Sequence, residues 1–426
     1  MQFPKTQNAY IWIVVCLYAN YVLIGIEQIA VAQHMDAFMV RLGTDVGSLA
    51  LIISATALGR GIGGCFSGFL SDRFGRKIVT VAGTLGISLS FAGLVTAPTP
   101  LYVFIAVFFG GTADALIDAG AFATFAEAFP KSSASKAVGT KISISAGQIV
   151  FPVCVAWLIS EEISLDVSLT VVACLALVNF IFLMGLKFPD FKPSQGFLKA
   201  GVKPVSVYPL RRMPTFKTDG IPLLVFAGCA YVSFSIVLIW MPLISREVAL
   251  ATVAQSLTTV SYFAAGSILF GLVSVYLMKR WIRPVLLMTL LPVVTAIGAF
   301  AVWMWPSVTM CRAVSFVIGA SAAGGIFQIG VAVSIDFFPA AKGRMSMAYI
   351  LTSALTGAVA TFLLGHLATY RIDLLMLVNV VIALLNAIVG LVIVIRFYKT
   401  FVIRDHRWLE AFILRGLNRL LGYQIS

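Results

Sequence analysis

Residues 68–77, GFLSDRFGRK, set three cations and one carboxylate between two long apolar stretches, LALIISATALGRGIGGCFS (49–67) and IVTVAGTLGISLSFAGLV (78–95). Each flank is long enough to cross about 30 Å of hydrocarbon as a helix. A charge cluster between two such segments reads as a short turn at a membrane surface. Gly68 allows close helix approach and Gly75 a tight turn. Asp72 can accept hydrogen bonds from the N-terminus of a facing helix.

The rest of the chain has the same character. Of its 426 residues, 60% are hydrophobic and 11% charged, and the mean hydropathy is +1.01. Soluble domains carry about 25% charged residues, so this composition excludes a water-soluble fold. Apolar runs predict an all-α membrane protein of twelve spanning helices, at 10–32, 46–70, 78–97, 101–128, 138–160, 167–187, 220–244, 254–278, 284–304, 309–337, 343–368 and 372–398. Helices satisfy their own backbone in lipid, which open strands cannot. Met1–Asn8 lacks a strong cationic start, so no cleavable signal peptide is expected.

The net charge of +13 is a topology signal and not a sign of nucleic acid binding. Of the 30 Lys and Arg, all but Arg41, Arg60, Arg246, Arg312 and Arg371 fall on one side if the N-terminus and the even-numbered turns are cytoplasmic. The positive-inside rule then puts both termini in the cytoplasm. The six cysteines lie in or at the ends of apolar helices without metal or disulfide spacing, and read as small core residues.

Two halves are legible. EAFPKSSASKAVG (127–139) is echoed by DFFPAAKGRMSMA (336–348), which makes Gly110 correspond to Gly319, Asp114 to Ala323 and Asp118 to Phe327. Between them, 188–219 holds five prolines and six cations. The expected organisation is a six-helix bundle over 1–187, a cytoplasmic linker over 188–219, a second bundle over 220–398 and a basic tail over 399–426. Leu409, Phe412, Ile413, Leu417, Leu420 and Leu421 give that tail the stripe of an interfacial helix. Parallel six-helix repeats around a central site are an alternating-access architecture.

The turn at 68–77 resembles the signature G-x-x-x-D-R-x-G-R-[RK] of the major facilitator superfamily, matched at Gly68, Asp72, Arg73, Gly75, Arg76 and Lys77. Glu127-x-x-Pro130 with Lys136, and Asp336-x-x-Pro339 with Arg344, resemble that family's marks after helices 4 and 10. The resemblance implies two pseudo-symmetric bundles and a helix 2–3 turn that locks them in the outward-facing state. The corresponding turn of the second half, SVYLMKRWIRP (274–284), lacks the Asp, so a symmetrical second lock is not implied. Stretches at 18–35, 59–77 and 316–339 are also similar to a group of enterobacterial inner-membrane transport proteins within the superfamily. That implies a multi-pass inner-membrane protein and leaves the solute open.

Ionisable residues at helix centres are costly and mark function. Helix 1 has Glu27 and Gln28, helix 2 Arg60, and helix 4 Asp114 and Asp118, which share one face at i, i+4. Arg60 lies at a depth similar to Asp114, so pairing with either Asp is expected; a purely structural ion pair is the alternative. Glu27, Asp114 and Asp118 are the proton-coupling candidates, with Arg60 available to a substrate carboxylate. Lys141 is close enough to the cytoplasmic surface to extend toward it. The second half offers Trp240, Gln328, Tyr231, Tyr262, Tyr349, Asn379 and Asn386 instead of charge.

The expected function is secondary active, proton-coupled uptake of a small organic solute, with a carboxylate as one option. The partners are that solute, the proton and the lipid bilayer, acting on a monomer, with no cofactor. A proton-driven exporter is the alternative. That group resembles G-x-x-x-G-P-x-x-G-G in helix 5, where ISISAGQIVFPVCVAW (142–157) retains only Gly147 and Pro152. A non-transporting receptor of the same fold is the third reading. No Walker motif, Ser/His/Asp set or metal cluster supports ATP-driven transport or catalysis.

Overall fold

The apolar runs form helices in a computed structural model that describes residues 10–129, 132–189 and 209–403. Pro130, most of the linker, and the tail beyond 403 with its expected interfacial helix lie outside the described residues. Six helices precede the linker: α1 (Ile11–Gln33), α2 (Val46–Phe74), α3 (Arg76–Thr96), α4 (Pro100–Ala128), α5 (Ser133–Ser160) and α6 (Asp166–Gly185). Six follow it: α7 (Phe216–Glu247), α8 (Thr259–Arg280), α9 (Pro284–Met304), α10 (Val308–Phe337), α11 (Lys342–Arg371) and α12 (Leu374–Thr400). Among the described residues, twelve segments are long and apolar enough to cross a membrane. Their surface exposes Trp12, Phe66, Leu89, Phe109, Phe182, Ile297 and Ile388, among others. Water does not tolerate so much apolar area, and hydrocarbon does.

Several features depart from the expectation. A short helix, Met35–Leu42, fills the α1–α2 connection and ends on Gly43 in the left-handed region. Asp45 then caps α2, and its bonds from Ser48 hold its carboxyl below the usual range. Helix α7 begins at Phe216, inside the stretch read as linker, where Asp219 accepts from Arg212 at 2.5 Å and from the Thr215 amide at 2.8 Å. It widens to π geometry at Phe216–Gly220 and again at Ile236–Trp240. Helix α10 is π-wound at Gly319–Ala323 and interrupted at Gly324–Gly325 before Ile326–Phe337 resumes. Such segments are common at functional positions. Beside the end of α12, Leu210 bridges antiparallel to Phe401.

The internal repeat is visible in how helices cross. A Cβ on Gly59 of α2 would lie 1.9 Å from the Phe108 carbonyl of α4, and one on Gly266 of α8 would lie 2.0 Å from the Phe316 carbonyl of α10. Conversely, Gly111 abuts the Thr56 carbonyl and Gly319 that of Phe263. Only glycine permits backbones this close. The same crossing therefore occurs in each half, with Gly319 in the place of Gly111, one residue from the Gly110 expected from the sequence correspondence.

The halves meet at one end and part at the other. At the end remote from GFLSDRFGRK, Asp36 pairs with Arg246 across the halves. There Gly365 of α11 sits on Ala50 of α2, and Ser261 of α8 donates to the Ile149 carbonyl of α5 at 2.8 Å. Toward the GFLSDRFGRK end, Gly61 still faces Ala354, but Gly64 and Gly68 have nothing within 4 Å of where a Cβ would stand. A cavity of about 320 Å³ opens here, lined by Arg60, Gly64, Gly68, Asp118, Phe122 and Met347 among others.

Candidate functional site

At the head of the cavity stands Arg60. Its Nη2 donates to Asp118 Oδ2 at 2.8 Å, and its Nη1 lies 3.7 Å from Asp114 Oδ2. Tyr21 of α1 donates to the other Asp118 oxygen at 2.9 Å. Asp118 is therefore held from two helices and stays partly open to the cavity, while Asp114, one turn away on α4, is wholly buried. Of the two partners expected as alternatives, Asp118 takes the hydrogen bond and Asp114 the longer contact.

Behind Asp114 lies Glu27, 5% exposed. The two carboxyl groups are within hydrogen-bonding reach of one another. Among the described residues, neither Glu27 oxygen has a donor, and Asp114 has only the long contact to Arg60. Two ionised carboxylates cannot hydrogen-bond each other, and burying both without donors is costly. Gly110 makes room for the Glu27 carboxyl: a Cβ there would stand 2.3 Å from Glu27 Oε1 and 2.6 Å from the buried, unpartnered Ser90 Oγ.

Other expected residues are placed as follows. Gln28 accepts from Gln148 of α5 at 3.1 Å. Trp240 is fully buried at the closed end, its ring edge over Gly365, and its indole nitrogen has no acceptor. Gln328 is exposed on α10. Tyr231, partly buried on α7, is close enough to Arg60 and Asp114 to feel their charges. Lys141 is partly buried on α5 and lies within the field of Arg60. The sequence reading missed the buried chain Asn179–Asn20–Thr84, which joins α6, α1 and α3 with bonds of 2.7 and 2.9 Å. It also missed Gln148 and Ser90. Lone small polar residues in apolar helices give little signal of their own.

The GFLSDRFGRK turn forms a network. Arg76, 8% exposed, donates to Asp72 at 2.7 Å, to Ser71 at 3.0 Å and to Glu127 at the end of α4 at 3.0 Å. Lys77 reaches the Met184 carbonyl at the end of α6 at 2.6 Å. Arg73 lies over the Phe69 and Phe74 rings. Gly75, at φ 92°, makes the break between α2 and α3. The Asp72 side chain is 47% exposed and accepts from no facing helix N-terminus among the described residues. Across the cavity mouth, Asp336 and Pro339 lie partly buried at the end of α10, and Arg344 is exposed at the start of α11.

Twelve spanning helices with a repeated crossing, sealed at one end and open at the other onto a charged cavity, define a membrane transporter. The match to the family model of the Major Facilitator Superfamily over residues 11–361 shows that the chain belongs to that family. It is 30% identical to the Inner membrane transport protein YdiN of Escherichia coli (strain K12), over 96% of this chain and 97% of that one. It is 26% identical to YdiM of the same organism, over 92% and 96%. Its fold is similar to the inward open conformation of the xylose transporter XylE from E. coli, with a TM-score of 0.71 at 14% identity, over 89% of this chain and 95% of that one. The chain is thus a secondary transporter of the alternating-access fold and not an enzyme.

Proposed function

We propose that this chain is a proton-coupled importer of a small organic solute. It would work as a monomer in a bacterial inner membrane, as the name of its relative YdiN suggests, with both termini and the α2–α3 turn in the cytoplasm. The observation that carries this reading is the buried Glu27–Asp114 pair, which lacks donors and stands directly behind Arg60. With a proton, the pair presents one negative charge to the guanidinium; without it, two. The proton thereby changes how tightly Arg60 is held, and Arg60 and Asp118 line the cavity.

Alternating access follows from the two ends. In the described state the cavity opens toward the GFLSDRFGRK turn, which the charge distribution assigns to the cytoplasm. Solute and proton would enter when Asp36–Arg246 and the Gly365–Ala50 contact separate. The open end would close as α11 approaches Gly64 and Gly68. Asp72 would then find the acceptor role at a helix N-terminus that it lacks here.

The test uses the full chain in proteoliposomes with a defined mixture of carboxylates, sugars, amino acids and nucleosides outside. Under an imposed inward proton gradient, at least one compound should accumulate above its outside concentration, and an uncoupler should abolish this. Accumulation that ignores the uncoupler defeats proton coupling. Gradient-driven efflux from preloaded vesicles, with no uptake, establishes the exporter instead.

A further inference from the structure

From the position of Lys141 we infer that the solute is a carboxylate, and that Lys141 on α5 is the side chain that takes its charge. The inference rests on the transport reading above and gives the class of its substrate.

Lys141 sits deep. Helices α1 and α5 run side by side in a fixed register: Tyr18 lies on Gly139, Gly25 on Ile144, and Gln28 on Gln148. That register puts Lys141 level with Tyr21, whose hydroxyl holds Asp118. Lys141 thus stands at the depth of the tyrosine that holds Asp118 and within the field of Arg60.

Lys141 also has no partner, with neither an ion pair nor a hydrogen bond among the described residues. The nearby carboxylates are committed elsewhere. Asp118 is held by Arg60 and Tyr21, and Glu27 and Asp114 lie behind Arg60. The one neighbouring charge that acts on Lys141 is the like charge of Arg60. An ammonium group among protein atoms, without a counter-ion and beside a guanidinium, is a strongly unfavourable arrangement. The residue is only partly buried, however, and so is open to an incoming anion.

The α5 surface around it is polar. Lys141, Ser145 and Gln148 follow at i, i+4 and i+7 and share one face. The Ser145 hydroxyl is buried without a partner, and Gln148 spends one amide hydrogen on Gln28. Ser145 and Gln148 are themselves buried, so the ammonium is the donor of this stripe that a carboxylate meets.

The test is thermal stabilisation of the purified full-length protein in detergent. The probes are acetate, lactate, succinate and benzoate, with acetamide, lactamide, succinamide and benzamide as neutral partners, and inorganic phosphate, glucose and choline alongside. At least one carboxylate should stabilise the protein and its amide should not. Lys141→Met should weaken that binding by about tenfold or more, and Lys141→Arg should keep most of it. Ligand-free melting should be unchanged or higher in Lys141→Met, because a lone buried charge is gone. Four results overturn the inference: stabilisation by phosphate, glucose or choline in place of carboxylates; equal stabilisation by the amides; undiminished binding in Lys141→Met; or no response to any carboxylate. Carboxylate binding through Lys141 without flux in proteoliposomes would defeat the transport reading alone. Coupled flux of a neutral solute would defeat this inference alone.

Discussion

Gly110 of α4 and Glu27 of α1 occupy one site between them: the glycine has no side chain where the carboxyl lies, and a methyl group there would fall 2.3 Å from Oε1. Gly110→Ala should therefore displace Glu27 from Asp114 while leaving the helices formed. Gradient-driven uptake should fall by about tenfold or more, since a small misplacement of a reacting group has effects of this size. Gly185→Ala, at the end of α6 with nothing within 4 Å, is the matched control and should transport normally. Equal activity of the two variants would remove Gly110 from the mechanism.

The carboxyl pair itself can be separated from solute binding. Glu27→Gln and Asp114→Asn each place an amide donor against the remaining carboxylate. Both variants should still exchange solute across the membrane in counterflow. Neither should accumulate solute against a gradient, and the pH dependence of uptake should flatten. Uphill accumulation in both variants would show that the proton is carried elsewhere.

Arg60 and Asp118 are coupled energetically. Arg60→Ala leaves Asp118, Asp114 and Glu27 facing one another, and should cost on the order of 2 kcal/mol of stability, reduced from the fully buried case because both side chains are partly open to the cavity. Arg60→Ala with Asp118→Ala should recover part of that loss. Melting of the single and double variants in detergent gives the comparison, and additive losses would mean the pair contributes nothing as a pair.

Asp72→Asn should fold, reach the membrane and cycle slowly. Its carboxyl is half-exposed here and bonded only within its own turn, so its larger role belongs to the other state. A Gly68→Cys reporter should react faster with a thiol reagent from the cytoplasmic side when Asp72 is neutralised. Normal transport and unchanged labelling would assign Asp72 no conformational role.

At the opposite end, Asp36→Ala or Arg246→Ala removes the ion pair that joins the halves. An Ala50→Cys reporter, buried against Gly365 in the described state, should then become reactive to an impermeant thiol reagent from outside. Unchanged protection would mean that apolar packing alone seals this end.

The fold was readable because hydrocarbon imposes it: helix length, apolar composition and the charge of the turns leave few alternatives. Arg60, Asp114 and Asp118 were readable for the same reason, since charge in such helices is conspicuous. That Glu27 faces Asp114 was not readable, because it depends on how α1 is rotated against α4, and Gly110 passed for ordinary helix packing. That Lys141 lies within the field of Arg60 was not readable either, because distance along α5 says nothing of the direction in which a long side chain turns. The π segments of α7 and α10 leave no pattern in an all-apolar helix.

Helix α4 and helix α10 are counterparts built to different stiffness. The backbone of α4 runs unbroken from Pro100 to Ala128 beneath its two aspartates, so a force applied at Asp118 is carried along the helix as along a rod. Helix α10 is rewound and interrupted between Gly319 and Gly325, and at that height it can bend without breaking further bonds. Amide hydrogen exchange should find α10 opening at Ala323–Ile326 while the matching stretch of α4 stays protected. The half that carries the charges would then serve as the fixed jaw, and the half without them as the one that yields.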